Sequence, residues 1–79
     1  MNFDLYQDVI LTVDLADAGL CAGDIGTLVE RHIVAGKEPG YSVEFFDMTG
    51  QTVAVVTMNA SFLRVPTPTD RPAARAMAG

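Results

Sequence analysis

The sequence predicts a small all-β domain: five short strands in one antiparallel barrel, with a flexible or loosely docked C-terminal tail. Three observations predict it. Short apolar runs are separated by clusters of Gly, Asp and Pro, the residues that set turns. The runs alternate with a period of two and are rich in Val, Ile, Thr and Phe, as half-buried strands are. Before residue 66, no stretch carries an apolar stripe at helical spacing over ten or more residues.

"DVILTVDL" (8–15) places Val9, Leu11, Val13 and Leu15 on one face, and Asp8, Ile10, Thr12 and Asp14 on the other. "ADAGLCAGD" (16–24) is a loop, and "IGTLVERHIV" (25–34) is the second strand, with Gly26 marking a bulge or a close backbone approach. "AGKEPG" (35–40) breaks the pattern before strands "YSVEFFD" (41–47) and "QTVAVVTM" (51–58). Between these two, Asp47 and Gly50 fit a three-residue hairpin loop with Gly50 in the left-handed conformation. A regular ladder from that loop pairs Phe45 with Val53, Val43 with Val55 and Tyr41 with Thr57 on the core face. It leaves Phe46, Val56 and Met58 on the outer face. "NAS" (59–61) suits a single 3₁₀ turn, and "FLRV" (62–65) a short closing strand. A long first loop, a short second one, a tight hairpin and a 3₁₀ turn before the last strand are the order of SH3-like barrels. Closure of such a barrel shields strand edges.

The chain of 79 residues divides into a barrel at 1–65 and a Pro/Ala-rich tail at 66–79. A chain of this size buries only about 60% of its unfolded surface, so self-association would help it. Residues 1–65 carry nine acids against Arg31, Lys37 and Arg64, a net charge of −6. Such a body repels a phosphate backbone and disfavours nucleic acid as a partner; it favours a basic protein. One cysteine excludes an internal disulfide, and one histidine excludes a zinc-ligand cluster. With no basic leader and no apolar run of membrane length, a cytoplasmic protein is expected, with no membrane partner.

The acid-bounded first strand, "GLCAGDIGTLVE", "VEFFDMTGQT" and "ASFL" together resemble a small bacterial family of uncharacterised SH3-like barrel proteins, over about residues 5–65. "AGDIGTLVE" is more distantly similar to the strand-turn-strand of KOW-type barrels. The first resemblance implies the fold and a partner-binding role such as toxin neutralisation. The second implies an RNA- or ribosome-associated module.

The chemistry-bearing residues point away from catalysis, and no cofactor is expected. Gly19, Gly23 and Gly26 lack the following Lys and helix of a phosphate loop. They serve, with Asp24, Asp47 and Gly50, as structural turn residues. Cys21 and His32 are separated by roughly 36 Å of extended chain at ~3.3 Å per residue, too far for a thiol–imidazole pair to form within one strand. Asp14, Asp17 and Asp24 flank one loop and are the residues a divalent-metal function would use, without the spacing of a known calcium loop. Ile10, Phe46, Val56 and Met58 make the outer face more apolar than a solvated sheet. The expected function is therefore a non-enzymatic, acidic protein-interaction module. Those four residues are its interaction surface, toward an unidentified and preferably basic protein or a second copy in a homodimer. A KOW-like RNA module and a divalent-metal protein are the alternatives.

Overall fold

The computed structural model describes residues 3–72 and 74. Five antiparallel strands form one sheet curled into a half-barrel, in keeping with a small SH3-like barrel: β1 (Asp8–Leu11), β2 (Ile25–His32), β3 (Gly40–Phe46), β4 (Thr52–Asn59) and β5 (Leu63–Arg64). The spatial order is β4-β3-β2-β1-β5. Two 3₁₀ turns, Ala16–Ala18 and Ala60–Phe62, interrupt the connections.

The first strand is shorter than its alternation predicts. It stops at Leu11 because the next residues leave β2 for other partners: Thr12 N–H donates to Phe62 O (2.8 Å), and Leu15 pairs with Leu20 across the loop. Val13 and Leu15 still pack against the core, so the period-two pattern persists beyond the ladder. On β2, Gly26 faces Val9 and Phe45. A Cβ built there would lie 2.6 Å from Val43 Cγ1 and 3.0 Å from Phe45 Cδ1. Its role is close approach, and the bulge of β2 falls instead at Val29, between Leu28 and Glu30.

The β3–β4 loop is Met48-Thr49-Gly50, with Gly50 at φ +87°. Asp47 organises it: its Oδ1 accepts from the Thr49 and Gln51 amides and from the Thr49 hydroxyl, at 2.7–3.0 Å. Phe46 then pairs with Thr52, but Phe45 pairs with Ala54, leaving Val53 as an extra residue. This bulge corrects the regular ladder predicted above. Beyond it Val43 faces Val56 and Tyr41 faces Met58, so every β4 side chain from Ala54 onward sits on the opposite face from the one expected. Met58 is only 6% exposed and Val56 packs on the core; neither belongs to an outer patch. The shift is physically favoured because Thr57 leaves the Tyr41 position and meets Ser42, its hydroxyl 2.8 Å from Ser42 Oγ. In the unshifted ladder that hydroxyl would be buried among apolar side chains, at a cost of about 1–3 kcal/mol if unpaired.

Leu11, Leu28, Tyr41, Val43, Phe45 and Met58 form the heart of one core cluster. Phe3 closes its end: it stacks edge-on against Tyr41, ring centroids 5.4 Å apart, and its amide donates to the Tyr41 hydroxyl at 3.1 Å. The bulges at Val29 and Val53 add local twist, which curls so small a sheet over a single core.

Gly26→Ala should destabilise the domain by about 1–3 kcal/mol, the range for forcing a methyl into a packed site. Chemical denaturation measures it. A loss below about 0.5 kcal/mol would show that β3 does not press on Gly26.

Candidate functional site

One apolar row crosses the outer face at the hairpin end of the sheet. Arg64 pairs with Ile10, and Ile10 with Ile25. One step beyond the Gly26–Phe45 pair, Ile25 comes beside Phe46, which pairs with Thr52. All five strands contribute one residue to this row.

The tail returns over it. After β5, the Arg64 guanidinium grips the Asp70 carboxylate with two parallel bonds of 2.8 and 2.9 Å. The same carboxylate accepts from the Thr67 amide at 2.6 Å, and Asp70 N–H donates back to Thr67 O at 3.0 Å. This fork and turn reverse the chain within "PTPTD". Pro72 and Ala74 then line a groove of about 380 Å³ whose other walls include Leu20, Ile25, Phe46, Met48 and Val53. Ile10 is 3% exposed although it lies outside the core cluster. Its burial corrects the expectation that it is an exposed outer-face residue, although strand parity points it away from the core.

Of Ile10, Phe46, Val56 and Met58, the four residues expected on an exposed outer face, Phe46 alone is exposed, at 43%. The structure brings Ile25, Met48 (88% exposed) and Val53 beside it. Met48 had been only a loop residue, and Val53 joins because the bulge turns it out. Asp24 and Asp47 stand on the groove's rim. The Thr49 hydroxyl, ahead of the Gln51 amide, holds the Asp47 carboxyl below its usual range, so this rim keeps negative charge. The groove is lined by apolar side chains together with Asp24 and Asp47.

Residues 5–65 match the family described as Domain of unknown function, DUF4926. The chain belongs to DUF4926. No curated protein and no solved structure matches it. The DUF4926 match spans all five strands and ends before the tail, so it includes Arg64 but not its partner Asp70 or the Pro72/Ala74 wall.

Elsewhere in the DUF4926 fold, the strands assemble one polar cluster that its sequence hides. Ser42 Oγ lies 2.9 Å from His32 Nε2, and Glu30 Oε1 lies 3.2 Å from the same nitrogen. A relay that activates a hydroxyl needs the carboxylate on one ring nitrogen and the hydroxyl on the other. Here both share Nε2, and Ser42 is buried and bonded onward to Thr57. His32, Ser42 and Thr57 tie β2, β3 and β4 together across the outer face. Sequence spacing could not reveal it, because the Val29 bulge is what sets Glu30 opposite Ser42.

The loop aspartates serve turns. Asp14 Oδ1 accepts from the Ala22 amide at 2.8 Å, and Asp24 Oδ2 from the Cys21 amide at 2.9 Å. Gly19 and Gly23 in the same loop have φ of +71° and +97°. Among the described residues, no group of three His, Cys, Asp or Glu side chains is placed to hold a metal ion, and no helix is long and apolar enough to cross a membrane. Arg64, one of three cations in the barrel, is engaged by Asp70.

The fork sets a pH dependence. The Arg64 guanidinium, then the Thr67 amide, hold Asp70 well below the ordinary 3.8. A carboxylate depressed in the folded state contributes above its unfolded value, so the fork's hold is complete above pH 3.8 and fades as pH falls through the lowered value. Carboxyl-carbon NMR titration should place the Asp70 midpoint below 3.8 in the native chain, and Arg64→Ala should move it upward. An unmoved midpoint would remove the fork.

Proposed function

We propose that this domain is a non-enzymatic protein-interaction module whose groove receives an extended apolar segment of a partner. The observation that carries this is the convergence of exposed Ile25, Phe46, Met48 and Val53 on one groove. Scattered surface apolar residues are ordinary; four around a common concavity mark an interaction site. The chain supports the reading with its own tail, since Pro72 and Ala74 lie along that groove.

The partner's chemistry follows from the walls. Apolar side chains fill the floor, and a flanking Lys or Arg meets the rim of Asp24 and Asp47. The net charge of −6 on residues 1–65 steers basic proteins toward the domain and accelerates encounter at low salt. Aromatic and Met side chains suit this use, because they offer large contact area and adaptable shape.

Affinity capture from source cells, run side by side with native chain and Phe46→Glu, tests the groove. Phe46 is outside the core cluster, so the variant should keep its melting temperature. Proteins held by the native chain should bind the variant at least ~30-fold more weakly, as loss of an interface anchor worth about 2 kcal/mol requires. Equal retention by both chains would place the interaction elsewhere.

A further inference from the structure

We propose that the chain's own tail is the groove's resident ligand, which a partner segment must displace in order to enter. The inference rests on the groove being the contact site and adds the regulation of that site. Two described residues of the tail, Pro72 and Ala74, line the groove together with Leu20, Phe46 and Met48. Their return is built into the sequence before them. Pro68 takes the second position of the turn that Asp70 N–H closes on Thr67 O, where a fixed φ suits the chain. The Asp70 carboxylate accepts from the Thr67 amide and hydroxyl at 2.6 and 3.1 Å, and from the Arg64 guanidinium through two bonds. Arg71 Nη1 donates to Pro68 O and Asp70 O, at 2.9 and 3.0 Å. Pro66, Pro68 and Pro72 lie in this stretch and limit the freedom the tail loses on docking.

Charge and tethering select this occupant. Residues 66–79 hold Arg71 and Arg75 against Asp70, a net charge of +1, beside the −6 of residues 1–65. The sequence after Arg71, "PAARAMAG", joins apolar Ala and Met side chains to one cation. That composition matches a groove lined by apolar side chains with Asp24 and Asp47. Six residues, 66–71, separate Val65 from Pro72. A tether of that length holds the tail at an effective concentration on the order of millimolar, so a weak contact suffices. The hold is also reversible. The Arg64 and Asp70 side chains of the fork keep 46% and 25% exposure, and water screens such a pair. A partner then binds with its affinity scaled down by the fraction of chains whose groove is open.

A synthetic peptide of residues 66–79, titrated by NMR into the full chain and into its Asp70→Ala variant, tests this. Asp70→Ala removes both the fork and the turn's acceptor, and Asp70 is outside the core cluster, so circular dichroism should be unchanged. The peptide should shift the Ile25, Phe46, Met48 and Val53 resonances of the variant. It should bind the variant at least ~3-fold more tightly than the native chain, as an opened groove requires. Equal affinities, no binding to the variant, or shifts confined to Arg64 would overturn the proposal. In affinity capture, Asp70→Ala should retain more of each protein that Phe46→Glu loses. Retention no greater than the native chain's would also overturn the proposal, while leaving the groove as the contact site. Equal retention by the native chain and Phe46→Glu would instead remove the groove reading itself, and the displacement with it.

Discussion

One extra residue in β4 decides what this domain shows to its surroundings. Side chains in a strand alternate with a period of two, so a single inserted residue exchanges the two faces of everything beyond it. Val53 is that residue. It sends Val56 and Met58 into the core opposite Val43 and Tyr41, and brings Val55 and Thr57 to the outside. Without it the core would receive Thr57, whose hydroxyl has a partner only on the outer face, at Ser42. The core's satisfaction and the surface's apolar character are consequences of the same slip.

The outer face then has two regions with different chemistry. At the hairpin end lies the row from Arg64 through Ile10 and Ile25 to Phe46, covered at one side by the segment that the Arg64–Asp70 fork turns back. Toward the other end, His32, Ser42 and Thr57 link β2, β3 and β4 through side-chain hydrogen bonds. Asp24 and Asp47 line the groove, Glu30 and Glu44 lie on β2 and β3, and β4 itself carries no acid, although the Thr52 hydroxyl donates to the Glu44 carboxylate.

Much of the fold is legible in the sequence because its signals are local. The five strands, the second 3₁₀ turn and the Met48-Thr49-Gly50 loop follow from alternation, breakers and a glycine that must take positive φ. Gly26 also declares itself, as a residue without a side chain at a crowded crossing. The face of β4 does not. In "VAVVTM" the adjacent Val55 and Val56 allow either alternation, and only cross-strand partners choose between them. For Ile10, strand parity gives the direction, but no periodicity encodes whether a side chain that points away from the core is covered or exposed. Phe3, a single aromatic before the first strand, carries no pattern at all. Of the candidate site, Phe46 was legible, while Ile25, Met48 and Val53 join it only through the folded hairpin.

The register of β4 on β3 is accessible to direct measurement. In the non-hydrogen-bonded pairs of an antiparallel ladder, facing Cα atoms approach to about 4.5 Å, and their α-protons give strong nuclear Overhauser contacts. With Val53 bulged, those contacts join Ser42 to Thr57 and Glu44 to Val55. Contacts joining Ser42 to Val56, or Val43 to Val55, would put Met58 back on the surface and contradict the arrangement of core and groove described above.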